Sequence, residues 1–239
     1  MRHFGIIGFP LVQSFSAKFF NAKFAAEGID AEYSLYPMQE LESERVEEIL
    51  DSLDGFNVTL PYKQSIIPFL ERLDETAEVI GAVNVVHDRI GYNTDCIGFM
   101  NSIKPLLRDY DRQALVLGTG GASKAICYGL NKLGVVPTLV SRTPKKGMVG
   151  YDELDEEMMS KHTVIVNCTP LGMFPDVESC PAIPYEFISA RHLLFDCVYN
   201  PEETLFLHKG KAQGASIRNG LEMLTGQAKA AWKIWSNEI

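Results

Sequence analysis

The sequence predicts an α/β fold made of two successive βα series. Three observations carry that expectation. Short apolar runs alternate with amphipathic stretches, a glycine-rich turn follows an apolar run near the middle, and no repeat or low-complexity segment interrupts the pattern.

The first series opens with a strand over residues 3–8, then a helix over 16–27 that stops at Gly28. A strand over 32–36 and a helix over 41–53 follow. Residues 56–60 read as a third strand, ended by Pro61. Segments 65–70 and 75–80 read as helical, and 83–87 with 90–92 as a hairpin pair. A connecting helix is expected over 97–107. The second series then runs through a strand at 114–117, a helix at 122–133 and a strand at 138–140. Further strands are expected at 163–167, 193–198 and 216–218, with a helix over 202–212. In the last helix, 221–235, Leu224, Ala228, Ala231, Trp232 and Trp235 recur at helical spacing, which marks Trp232 and Trp235 as packing anchors.

Composition narrows the function. The chain has 239 residues, 46% hydrophobic and 22% charged, with 22 basic against 31 acidic side chains and a net charge of −9. Without a long basic run, no nucleic-acid or anionic-membrane partner is expected. The five cysteines, Cys96, Cys127, Cys168, Cys180 and Cys197, are odd in number and form no CxxC pair. That points away from a zinc site or disulfide framework and toward buried thiols in a reducing compartment. His3, His87, His162, His192 and His208 are scattered, so no metal is expected. The N-terminus lacks the shape of a signal peptide and no apolar stretch reaches membrane length, so the expectation is a soluble cytoplasmic protein.

The glycine turn carries the first chemistry. Leu115-Val116-Leu117-Gly118-Thr119-Gly120-Gly121-Ala122-Ser123 is an apolar strand entering a turn and then a helix. Gly118 permits the tight turn, Gly120 lets backbone approach a pyrophosphate, and the helix N-terminus offers free N–H groups to phosphates. A dinucleotide site of the NAD type places a carboxylate about 20 residues on, against the ribose 2′-hydroxyl. Here the chain reads Val140-Ser141-Arg142-Thr143, then Lys145 and Lys146. A guanidinium there grips a 2′-phosphate that a carboxylate would repel, so the expected cofactor is NADP. The same cluster also suits a solvated basic turn.

Polar clusters interrupt the first series at expected strand ends: Ser14-Phe15-Ser16, Asn57-Val58-Thr59-Leu60-Pro61-Tyr62-Lys63, Gly81-Ala82-Val83-Asn84 and Gly91-Tyr92-Asn93-Thr94-Asp95. Singly, each has a plainer reading. Ser16 suits a helix cap, Asn93 and Asp95 suit turns, and Lys63 suits a solvated helix start. Together they suit a polyhydroxylated ring substrate bearing an ionised group. A Lys–Asp pair near a carbonyl can move a proton while a reduced nicotinamide delivers hydride.

These motifs make the sequence resemble the shikimate dehydrogenase family. The matching residues are Ser14-x-Ser16, Asn57-Val58-Thr59-x-Pro61-x-Lys63, Gly81-Ala82-Val83-Asn84 and Asn93-Thr94-Asp95-x-x-Gly98. They continue through Gly118-x-Gly120-Gly121-Ala122, Ser141-Arg142-Thr143, Asn167-x-Thr169-x-x-Gly172-Met173 and Asp196-x-x-Tyr199-x-Pro201-x-x-Thr204. The last is Asn219-Gly220-x-x-Met223-Leu224-x-x-Gln227-Ala228, so the series runs in family order over nearly the whole chain. The resemblance implies NADPH-dependent, reversible reduction of 3-dehydroshikimate to shikimate, a step toward chorismate and the aromatic amino acids. It implies Lys63 and Asp95 as the catalytic pair, and a substrate site lined by Ser14, Ser16, Thr59, Asn84, Asp95, Tyr199 and Gln227. Gly118, Thr119, Gly120, Gly121 and Ala122, with Ser141, Arg142, Thr143 and Lys146, would hold the cofactor. Glu75, Cys197 and Gly220 fall at positions that touch cofactor in relatives. The chain departs from the family pattern at Ala17 and Phe20, where proline and histidine are usual, at Ser141 for asparagine, and at Lys146 for a second arginine.

The expected architecture is two α/β domains separated by a cleft: a substrate domain of residues 1–98 plus 219–239, and a Rossmann-type NADP-binding domain of residues 99–218. Hinge closure would then bring substrate and nicotinamide together. The small-molecule partner would be shikimate or 3-dehydroshikimate, with a monomer or homodimer as the assembly. The alternatives are a quinate/shikimate dehydrogenase of broader specificity, which often uses NAD and carries an acidic residue near Ser141 or Arg142, and a non-catalytic nucleotide-binding regulatory module.

Overall fold

The computed structural model describes residues 1–11 and 14–238. The chain divides into two compact units: Met1–Thr94 with Gln227–Ile239, and Asp95–Gly226. Compared with the expected boundaries, the helix that begins at Asp95 and the first turns of the C-terminal helix belong to the second unit.

The first unit holds strands β1 (Arg2–Gly8), β2 (Ala31–Pro37), β3 (Gly55–Val58), β4 (Arg72–Leu73), β5 (Val85–His87) and β6 (Ile90–Tyr92). Their order in the sheet is β2-β1-β3-β5-β6-β4. β1 runs parallel to β2 and β3, whereas β5 is antiparallel to β3 and to β6, as the hairpin expectation required. Helices α1 (Phe15–Glu27), α2 (Ser43–Ser52) and α3 (Glu75–Ile80) belong to the same unit. Gly28 ends α1 in the left-handed conformation at φ 65°. Segment 65–70 does not form the expected α-helix. Pro68 lacks a backbone donor, and only a 3-10 turn at Ile67–Phe69 results.

Residues Phe4 to Gly8 of β1 are buried, and its side chains divide between clusters that cover the two faces of the sheet. Phe4 and Ile6 pack with Phe20 and Phe24 of α1 and with Trp232 and Trp235. Ile7 packs with Phe56, Val58, Val86, Val46 and Ile49 on the opposite face. Trp235 donates its indole N–H to Val86 O at 3.1 Å, so the last helix is tied to the sheet as well as packed on it. Trp232 and Trp235 are thus packing anchors, as expected.

The second unit holds β7 (Gln113–Leu117), β8 (Val136–Ser141), β9 (Met148–Gly150), β10 (Val164–Asn167), β11 (Leu193–Asp196) and β12 (Ser216–Arg218). Its helices are α4 (Asp95–Ile103), α5 (Gly121–Lys132), α6 (Glu156–Lys161), α7 (Leu205–Ala212) and α8 (Leu221–Trp235), of which α8 continues into the first unit. All its strands are parallel, in the order β12-β11-β10-β7-β8-β9. That is the doubly wound arrangement, with the order reversing between β7 and β10. Alternate residues serve opposite faces. Ala114 and Val116 pack under Phe99, Ile126 and Leu130, while Leu115 and Leu117 pack with Met159, Phe206 and Leu207.

Several boundaries shift for local reasons. α4 stops at Ile103 because Pro105 follows, and the chain closes in a 3-10 turn at Lys104–Leu106. α7 begins at Leu205 because the Thr204 side chain caps it by accepting the Leu207 N–H. β11 ends at Asp196, whose side chain turns back to accept the N–H of Val198 at 2.9 Å.

Candidate active site

In the first unit, several candidate residues meet in one buried hydrogen-bonded chain. Ser14, and not Ser16, caps α1: its Oγ accepts the Ala17 N–H at 3.4 Å. Ser16 is buried and bonds to the phenol of Tyr33. Tyr33 donates in turn to Asn57 Oδ1 at 2.6 Å. Asn57 Nδ2 donates to the backbone oxygen of Asn84 at 3.1 Å. The Asn84 side chain then reaches two ways. Its Oδ1 accepts the Thr94 N–H at 2.7 Å, and its Nδ2 donates to Thr94 Oγ1 at 3.0 Å and to Gln227 Oε1 at 3.3 Å. Burial pushes the Tyr33 phenol well above its ordinary value, while the bond to Ser16 acts in the opposite direction, so Tyr33 stays a neutral donor.

This chain fixes the backbone on which the proposed pair sits. Lys63 O accepts the Val83 N–H at 2.7 Å, immediately before Asn84. Asp95 follows Thr94, which Asn84 holds through both its N–H and its hydroxyl. Lys63 is half-buried, and Asp95 is buried as the first residue of α4, the end of a helix that favours a negative side chain. Asn93 is no free turn residue either, because its Nδ2 donates to Ala82 O at 2.9 Å. Thr59 stands at the C-terminal end of β3 beside Gly8 of β1; its N–H donates to Ile7 O at 2.9 Å. Of the other expected substrate residues, Tyr199 lies in the second unit after β11 and is exposed.

In the second unit the glycine turn follows β7, at the point where strand order reverses. Gly118 has φ 105°, a conformation that favours glycine, and a Cβ there would stand 3.2 Å from Thr169 Cγ2. Gly120 is the N-cap of α5, without a side-chain cap bond and with nothing within 4 Å of where its Cβ would be. The 12-residue helix α5 therefore begins without a side-chain cap, and the space where a Gly120 side chain would stand is open. Ser123 Oγ donates to Gly120 O at 2.7 Å and holds the turn. Ser141 ends β8, and its Oγ accepts the Thr143 N–H at 3.2 Å. Arg142, Thr143, Lys145 and Lys146 are exposed in the loop that follows. An uncapped helix end at the switch point beside an exposed basic loop fits a phosphate-bearing dinucleotide.

Cys197 and Gly220 are brought together: a Cβ on Gly220 would stand 2.3 Å from Cys197 O. Glu75 opens α3 in the first unit, behind the N-cap Asp74. Two networks carry no sequence signal of their own. Nothing in the sequence pairs a β2 tyrosine, Tyr33, with Asn57. Asp196, although within a family motif, proves to be a buried carboxylate held by Thr204, Asn167 and Val198.

Fold and site together define a two-unit α/β protein with a doubly wound, dinucleotide-type sheet and a polar cluster at the strand ends of its other sheet. The family described as the shikimate dehydrogenase substrate binding domain matches residues 6–86. Shikimate dehydrogenase (NADP(+)) of Caldanaerobacter subterraneus is 36% identical over 258 residues, covering 99% of this chain and 92% of the relative. The crystal structure of shikimate dehydrogenase from Aquifex aeolicus superposes with a TM-score of 0.89 at 36% identity, covering 99% and 93% of the two chains. That of the Thermus thermophilus enzyme, in complex with NADP(H) and shikimate, gives 0.88 at 29% identity, covering 99% and 94%. The chain belongs to the shikimate dehydrogenase family.

Proposed function

We propose that this chain is an NADP-dependent shikimate dehydrogenase that reversibly reduces 3-dehydroshikimate to shikimate, a step in aromatic amino acid biosynthesis. The observation that carries the reading is the hydrogen-bonded chain around Asn84, which fixes the backbone of Lys63 through Val83 and of Asp95 through Thr94. It stands alongside the family membership and the relatives solved with NADP(H) and shikimate.

When bound, the reduced nicotinamide supplies hydride to the ring carbonyl. Lys63 provides the proton for the oxygen that becomes an alkoxide, and takes it back in the reverse direction. Asp95 keeps the ammonium placed and balances its charge. Ser14, Ser16, Thr59, Asn84 and Gln227 offer hydroxyl and amide groups to the ring hydroxyls and carboxylate, with Tyr199 from the second unit. The α5 N-terminus receives the pyrophosphate, and Arg142 with Lys146 the 2′-phosphate. Glu75, Cys197 and Gly220 are the remaining proposed cofactor contacts. A reducing cytoplasm suits five free cysteines, and no helix among the described residues is long and apolar enough to cross a membrane.

The test is Lys63→Ala. Turnover should fall by about two to four orders of magnitude, the usual worth of a positioned proton donor. NADPH affinity, read by fluorescence titration, should stay within a few-fold. Near wild-type turnover would remove Lys63 from the mechanism.

A further inference from the structure

Cys168 and Cys197 lie side by side at the switch-point end of the second sheet. They leave the parallel strands β10 and β11 directly after the register pair Asn167 and Asp196. The Cys197 N–H donates to Asn167 O at 2.9 Å, so the strands are still in step there. The Cys197 thiol donates to Cys168 Sγ at 3.8 Å. Both are free and half-buried, and both pack against the cluster that α4 and α5 cover. Neighbouring strands lie about 4.8 Å apart, within the Cα separation of about 4.4–6.8 Å that a disulfide spans.

We propose that Cys168 and Cys197 form a redox-modification site, joined by a peroxide-class oxidant into a disulfide and reopened by a dithiol. In the first step one thiolate attacks the peroxide oxygen, the O–O bond breaks, and a sulfenic acid forms as one oxygen leaves as water. In the second step the other thiolate attacks that sulfur, the S–O bond breaks, and the S–S bond forms with loss of a second water. Two thiols lose two hydrogens, and one peroxide is reduced to two waters. Cys127 packs on the same cluster, and burial pushes its thiol up to about 11. Burial and the adjacent Cys197 sulfur also push Cys168 up, so cross-linking should quicken as pH rises.

The consequence for the nucleotide rests on the proposed function. Cys168 O stands 3.3 Å from the position of a Cβ on Gly118, and Cys197 O 2.3 Å from that on Gly220. Drawing the sulfurs from 3.8 Å to about 2.05 Å ties together the two segments whose carbonyls approach both glycines and restricts their independent adjustment. The disulfide should therefore weaken NADP binding, and bound NADP should slow its formation.

The experiment treats the full chain with hydrogen peroxide, alkylates it without reduction, and maps its peptides by mass spectrometry. The expected result is a Cys168–Cys197 linked peptide, two hydrogens lighter than its parts, which dithiothreitol separates. It is absent from Cys168→Ser and Cys197→Ser, while Cys96, Cys127 and Cys180 remain alkylated. Recovery of both thiols in alkylated form, or linkage to another cysteine instead, overturns the proposal. Saturating NADP should slow the cross-link several-fold. An unchanged rate would leave the disulfide standing and refute the coupling to the nucleotide site, which separates the two readings.

Discussion

Asp196→Asn is expected to make the protein more stable near neutral pH and to leave it nearly unchanged in acid. Asp196 is fully buried at the end of β11. Its Oδ1 accepts from Val198 N at 2.9 Å and Asn167 Nδ2 at 3.0 Å, and its Oδ2 accepts from Thr204 Oγ1 at 2.5 Å. Burial raises the carboxyl, the three hydrogen bonds lower it, and burial wins: the pKa moves from 3.8 to about 6. That difference corresponds to about 3 kcal/mol. The folded state therefore holds a proton that the unfolded chain has already released between pH 3.8 and about 6. Stability falls as pH rises through that window, and above it the whole penalty applies. Asparagine keeps Oδ1 for Val198 and Asn167 and places an amide against the Thr204 hydroxyl, which can turn to accept. Urea unfolding of both proteins should give nearly equal stabilities at about pH 4, with the variant ahead by up to about 3 kcal/mol at about pH 7. A variant less stable than the parent at neutral pH, or a gap that does not change with pH, would show that the three hydrogen bonds outweigh burial and would refute a raised Asp196 carboxyl.

Three further outcomes follow from the same geometry. Asn84→Ala leaves the Thr94 N–H buried without its acceptor, at a cost of about 1–3 kcal/mol, and should lower kcat/KM for shikimate by more than it lowers NADP affinity; equal losses in both would contradict the placing of Asn84 on the substrate side. If Arg142 holds the 2′-phosphate as proposed, Arg142→Asp in the loop after β8 puts a repulsive charge there, so NADP affinity should fall by about 1.5–3 kcal/mol, or roughly 10- to 150-fold, with NAD affinity unchanged or improved in parallel titrations. Gly220→Ala puts a methyl 2.3 Å from Cys197 O and should destabilise the chain by about 1–3 kcal/mol; a neutral result in urea unfolding would mean that the close approach relaxes freely.

Much of this fold is legible in the chain because local chemistry and burial agree. The run Ala114 to Leu117 is apolar throughout, as a strand buried on both faces must be, and Gly118 ends it where a positive φ is needed. The short elements are legible only with their partners. β9 is three residues long beside a basic loop, and β4 is two residues held by pairing with β6. Neither carries a period of its own. The candidate site divides in the same way. Lys63, Asn84 and Asp95 stand out only together, as members of polar clusters at strand ends that run in the order of the family motifs. Tyr33 does not, because its partner Asn57 lies 24 residues away and only sheet register makes them neighbours. The thiol pair is equally silent, since Cys168 and Cys197 are 29 residues apart and meet only because β10 and β11 are adjacent.

The central claim joins a proton pair held around Asn84 to a nucleotide site that prefers NADP. The most direct measurement is the initial rate of NADP⁺ reduction by the purified chain with shikimate, followed by the absorbance of the reduced nicotinamide, beside the same assay with quinate and with NAD⁺. The expected result is turnover with shikimate and NADP⁺ at a kcat/KM at least about tenfold above every other combination, a margin of about 1.4 kcal/mol. No turnover, or a preference for quinate with NAD⁺, would contradict it.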